Sequence, residues 1–131
     1  MLKKTITFVD YNGVERTEDF YFDLNQAEIT EMELSQNGGL SNTIQKIITA
    51  KDMPSLIKLF KSLILKAYGV KSDDGRRFIK SDELALEFTQ TPAYSILFME
   101  LAQDEKKATE FINSIVPQEV AEKSKQLTSK N

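Results

Sequence analysis

The sequence predicts a mainly α protein: an N-terminal β-hairpin over residues 2–22, followed by a compact bundle of about five short helices. Two observations carry this expectation. Apolar residues alternate with threonines at Ile6 and Phe8, and this spacing of two gives way to helical spacing after Phe22. Helix start and stop residues then recur along the chain, at Asn25, Pro54, Gly69, Ser81, Thr91-Pro92 and Asp104. The length of 131 residues suits a single domain, placed at 1–117, with 118–131 read as a polar, flexible tail that has no aromatic residue.

In chain order, Asp10-Tyr11-Asn12-Gly13 supplies an Asn-Gly turn between two β-prone runs, because both turn residues tolerate positive φ. An isolated hairpin is marginal in water, so this one must dock on helices or pair with another chain. Asn25 with Glu28 three residues later resembles a capping box that opens a helix, and Gln36-Asn37-Gly38-Gly39 ends it. A second helix is expected over about 41–50. Pro54 opens the clearest helix and Gly69 closes it, after which Ser72-Asp73-Asp74-Gly75 forms a turn. Ser81 and Thr91-Pro92 start two further helices, and Asp104 caps a last one carrying Ala108, Phe111, Ile112 and Ile115 at core spacing. Periodicity places Phe60, Leu63, Ile64, Phe98, Leu101, Phe111 and Ile112 in the core.

Composition removes several function classes. There is neither cysteine nor histidine, so disulfides, zinc-thiolate sites, thiol nucleophiles and imidazole acid/base chemistry are all excluded. The carboxylate pairs Asp73/Asp74 and Asp82/Glu83 are explained by a turn and a helix N-terminus. Residues 72–75 lack the alternating ligands of a calcium loop, and Gly38-Gly39 lacks the spacing of a phosphate loop. No catalytic, cofactor-binding or metal-binding residue is therefore assigned, and the chain is read as a non-enzyme. The opening residues read as a strand rather than an export signal, and no run approaches the roughly 20 apolar residues of a membrane span. Lys71, Arg76, Arg77 and Lys80 around Phe78 form a basic loop of the kind that touches nucleic acid. The net charge of −3 favours a solvated turn with Phe78 packed inward, so neither nucleic acid nor membrane is expected as a partner.

The more informative features concern surfaces. In the helix over 54–68, Leu65 sits on the lysine side with Lys58 and Lys61, and in the helix over 92–103, Ile96 and Met99 point away from the main stripe. A helix apolar on two sides is either wholly buried or shared with a partner. Charge is segregated as well: residues 15–33 carry a balance of −6, including Glu28 and Glu31, whereas 51–80 carry +5, including Arg76 and Arg77. The two segments either neutralise one another within a monomer or associate head to tail between copies. Leu65, Ile96, Met99, Lys58, Lys61, Arg76, Arg77, Glu28 and Glu31 are accordingly the interface candidates, with the apolar three supplying affinity for self-association.

Three stretches carry a resemblance that covers residues 3 to about 120. The first runs from Lys4-Thr5-Ile6-Thr7 through Asn12-Gly13 and Glu18-Asp19-Phe20-Tyr21-Phe22 to Ala27-Glu28-Ile29-Thr30-Glu31-Met32-Glu33. The second joins Tyr68-Gly69-Val70-Lys71-Ser72 to Gly75-Arg76-Arg77-Phe78-Ile79-Lys80-Ser81. The third comprises Phe88-Thr89-Gln90-Thr91, Ala93-Tyr94, Leu97-Phe98-Met99-Glu100-Leu101-Ala102, Phe111-Ile112-Asn113 and Ile115-Val116-Pro117. Together they resemble the tail assembly chaperones of long-tailed phages infecting Gram-positive hosts. The resemblance implies a helical, non-catalytic protein of the infected cell's cytoplasm that multimerises and holds the tape measure protein. It also implies that the protein helps recruit tail tube subunits and is absent from the mature virion. Many such proteins are made in two lengths by a programmed frameshift, for which the polar tail after Pro117 is a suitable junction. The alternative reading is a structural virion component, such as a head–tail connector or tube-associated protein.

Overall fold

The computed structural model describes residues 1–34, 42, 45–46 and 49–115. Strands β1 (Leu2–Val9) and β2 (Glu15–Phe22) pair antiparallel from Leu2↔Phe22 to Val9↔Glu15, as the alternating pattern requires. The connection is a five-residue loop rather than a two-residue Asn-Gly turn, since only Gly13, at φ 79°, has positive φ there. Asp10 organises the loop instead. Its backbone N–H donates to the Val14 carbonyl at 2.8 Å, and its carboxylate accepts from the Asn12 and Val14 amides.

Helix α1 (Gln26–Leu34) begins at the expected capping box: the Glu28 amide donates to Asn25 Oδ1, and the Asn25 amide donates back to Glu28 Oε1. The expected end at Gln36–Gly39 and the polar stretch 118–131 lie outside the described residues. Of the helix expected over 41–50, Asn42, Gln45, Lys46, Thr49 and Ala50 are helical, and the rest lies outside them too. Helix α2 (Met53–Ala67) starts at Asp52, whose carboxylate accepts from the Ser55 amide ahead of Pro54 in the first turn. Helices α3 (Asp82–Thr89) and α4 (Pro92–Gln103) begin at Ser81 and Thr91, whose hydroxyls accept from the Leu84 and Tyr94 amides. Asp104 caps α5 (Glu105–Ile115) through the Lys106 and Lys107 amides.

Two strands were not expected. β3 (Tyr68–Lys71) continues directly from α2 and pairs with β2, and β4 (Phe78–Ile79) pairs with β3. The hairpin thereby becomes a four-stranded antiparallel sheet in the order β1-β2-β3-β4. Gly69 therefore lies within a strand rather than closing a helix. A Cβ at this position would lie 2.7 Å from Phe78 Cε2 and 2.8 Å from the Ile79 carbonyl oxygen. The Phe78 ring can swing aside, but the Ile79 carbonyl is fixed in the sheet. Gly69→Ala is expected to cost about 1–3 kcal/mol in chemical denaturation through this overpacking. A cost below about 0.5 kcal/mol would show that the β3–β4 approach is looser than the geometry indicates.

The core lies between one face of the sheet and the helices. Ile6, Phe8 and Phe22 face inward to meet Leu63, Ile64 and Ala67 of α2, Phe88 of α3, Ala93, Leu97 and Leu101 of α4, and Ala108, Phe111 and Ile115 of α5. Chain continuity is tied at one point below the hairpin, where the Asp23 amide donates to Ala67 O and the Leu24 amide donates to Ile115 O. Leu63, Ile64, Leu101 and Phe111 are buried as expected. Phe60, Phe98 and Ile112 correct the expectation: they are only partly buried at the margin of the core. The centre is instead Phe88, stacked on Tyr68 at 4.3 Å between ring centroids and 9° between planes. Phe20, Phe22 and Tyr94 surround it at 5.3 to 5.8 Å.

Candidate functional surfaces

Among the described residues no polar or charged side chain is buried, and the features that distinguish the molecule lie on its surface. A groove of about 810 Å³ lies between α1, α2 and α3. α1 contributes Glu28, Glu31 and Met32; α2 contributes Lys61, Leu65 and Lys66; α3 contributes Ala85 and Leu86. Leu65 thus faces the groove with Lys61 and Lys66 on the same wall, partly buried and packed against the core. Leu86 is the groove's most exposed apolar residue at 58 %, and the sequence reading passed over it. Its signal becomes readable only once the burial of Phe88 is known. Phe88 two positions later is buried, so Leu86 must point the other way on the same short helix.

Ile96 and Met99 form a separate patch. They are 44 % and 46 % exposed on the side of α4 opposite Ala93, Leu97 and Leu101. The three apolar candidates therefore do not share one surface: Leu65 belongs to the groove, Ile96 and Met99 to the outer face of α4. Beside that face, Glu100 lies 3.4 Å from Lys4 of β1 and 3.8 Å from Lys107 of α5 in solvent-accessible ion pairs.

The segregated charge is partly resolved inside the molecule. Lys80 donates to Glu28 Oε2 at 2.7 Å and to the Asp23 carbonyl at 2.6 Å, joining the basic and acidic segments across one wall of the groove. Glu28 is thereby committed both to its cap and to Lys80, whereas Glu31 on the next turn is exposed. Lys58, Lys61 and Lys66 are likewise exposed, and their spacing places them on one side of α2. The basic loop is also more engaged than its sequence indicated. Lys71 Nζ lies 4.4 Å over the Tyr21 ring and Lys80 Nζ 5.6 Å from that of Phe78, while Arg76 and Arg77 are exposed on the β3–β4 turn. Asp74 is occupied in building that turn, accepting from the Ser72 hydroxyl and the Arg76 amide, and these bonds hold its carboxyl below the usual range.

A third surface feature is the tip of the β1–β2 hairpin. Val9 at the end of β1 and Tyr11 and Val14 on the loop that Asp10 organises are 58 %, 85 % and 54 % exposed. The Arg16 Nε–H donates to Asp10 Oδ2 at 2.6 Å. That bond, then the Val14 amide, lowers the Asp10 pKa from its ordinary value of 3.8. A carboxylate whose folded pKa is depressed contributes order above its unfolded value, and this is lost as pH falls through the folded value. Hydrogen-exchange protection of the Val14 amide is therefore expected to hold at neutral pH and to disappear only in acid below 3.8. Asp10→Asn should lose that protection already at neutral pH. Equal protection in both proteins would show that the carboxylate does not hold the loop.

Among the described residues, no helix is long and apolar enough to cross a membrane. In comparisons with known proteins, a family model described as phage tail assembly chaperone matches residues 1–131. No curated protein and no solved structure matches the chain.

Proposed function

This chain belongs to the phage tail assembly chaperone family, and from that premise we propose that it multimerises and holds the tape measure protein in soluble form, helping to recruit tail tube subunits. The observation that supports this reading is the pair of separated apolar surfaces, the groove at Leu65 and Leu86 and the outer α4 face at Ile96 and Met99. Two surfaces let one copy contact a neighbour and a client at once. The α4 face is the better client surface, because methionine adapts to irregular apolar partners and an amphipathic client helix can lie along it. Binding needs no nucleotide on this reading. Exposed ion pairs, worth about 0–1 kcal/mol each, set the encounter rate and orientation rather than the affinity.

The protein acts in the infected cell's cytoplasm and leaves before the particle matures. Mass spectrometry of purified virions tests this against the structural-component alternative: a chaperone is missing or scarce, whereas a connector or tube-associated protein is present in fixed copy number. Light scattering across protein concentration tests self-association, which is expected to persist in high salt with a slower association rate. A strict monomer at high concentration in both low and high salt would overturn it.

A further inference from the structure

We infer that the β1–β2 hairpin tip of one copy seats in the α1–α2–α3 groove of the next, so that copies join head to tail. The inference rests on the self-association proposed above and adds the two surfaces that meet. It starts from the tip. Tyr11, 85 % exposed and flanked by Val9 and Val14, is an apolar knob that makes no use of its own molecule's core. The Asp10 hydrogen bonds already fix its loop, so little ordering remains to be done on binding. Tyrosine is also among the residues that dominate protein interfaces, because it carries a large apolar body with a polar end.

The groove has the matching features. Met32, Leu65, Ala85 and Leu86 offer apolar surface, and about 810 Å³ accommodates the tyrosine with its valine flanks. Charge fixes the direction of entry. Beyond the internally paired Asp10 and Arg16, the hairpin presents the exposed acids Glu15 and Asp19 on its outer face, the face of Thr5 and Val9. The α2 wall presents Lys61 and Lys66, with Lys58 on the same side of the helix. Glu31 and Asp82 stand on the α1 and α3 sides, so attraction for an acidic tip is confined to the α2 wall and selects one orientation. Tip and groove are different surfaces of the same chain. The contact is therefore heterologous, and it propagates into a ring or a filament.

The chain contains no cysteine, which makes site-directed cross-linking direct. Differently tagged Asn12→Cys and Asp82→Cys variants, at exposed positions beside Tyr11 and Leu86 that leave both anchors in place, are co-expressed and treated with a short thiol-specific cross-linker. The expected result is a mixed dimer, and a ladder of multimers from the chain carrying both cysteines. Glu15→Lys with Asp19→Lys should weaken self-association on the order of ten-fold, and adding Lys61→Glu with Lys66→Glu should restore it. Multimers in light scattering without a 12-to-82 cross-link would overturn this contact while leaving self-association standing. A strict monomer would overturn both. An Asp82→Cys chain carrying a thiol-attached photo-cross-linker that captures co-expressed tape measure protein, and not the hairpin tip of another copy, would assign the groove to the client and overturn the inference.

Discussion

Phe88→Ala is expected to cost about 3–5 kcal/mol in urea or guanidinium unfolding. Phe88 is 2 % exposed, stacks on Tyr68, and is ringed by Phe20, Phe22 and Tyr94. Removing it opens a cavity bounded by both β2 and α4, and large aromatic neighbours cannot collapse into such a space without leaving their own contacts. Aromatic pair geometry adds about 0.5–1.5 kcal/mol beyond buried area. A loss of this size is a large part of the 5–15 kcal/mol that holds a domain folded. Phe98→Ala provides the contrast. Phe98 packs at the margin of the core against Tyr94 at 5.9 Å, so its truncation is expected to cost less, below about 3 kcal/mol. The reverse order would place the centre of the core on α4 rather than on α3.

Ile96→Asp combined with Met99→Asp should abolish client holding while leaving the fold intact. Both side chains are nearly half exposed, on the opposite side of α4 from its buried residues, so a carboxylate at either position stays in water. Substitutions of this kind usually change stability by no more than about 0.5 kcal/mol. A client helix laid along α4 would instead have to desolvate two charges, at a cost of several kcal/mol. The expected outcome is an unchanged unfolding midpoint with loss of the tape measure protein to the insoluble fraction. Unchanged client solubility would remove α4 from the client surface.

Much of the fold was legible because its signals are local. The capping residues Asn25, Ser81, Thr91 and Asp104 act within three residues of their amide partners, and the hairpin's alternation is read from neighbouring positions. β3 and β4 were missed because four- and two-residue strands carry too little pattern, and Gly69 reads equally as a helix stop. Phe88 was missed as the core's centre because α3 has eight residues, about two turns, which leaves its periodicity weak.

The surface was less legible, since its parts are assembled from distant segments. Lys80 and Glu28 are separated by 52 positions, and nothing at either residue announces the other. The groove joins α1 to α3, so it does not exist at the level of any one helix. Helical spacing did identify Ile96 and Met99, because turning away from Leu97 and Leu101 is a property of α4 alone. It placed Leu65 beside Lys61 and Lys66, but could not show the groove they share, which depends on where α1 and α3 come to rest.

The central claim is that this protein keeps an aggregation-prone tail component soluble by binding alone. Co-expression with the neighbouring tape measure protein, followed by comparison of soluble and insoluble fractions, tests it most directly. A parallel refolding experiment with purified proteins is run with and without ATP. The account predicts that the tape measure protein becomes soluble in this protein's presence, co-purifies with it, and gains nothing from nucleotide. No rescue under any condition, or rescue that strictly requires ATP, would contradict it.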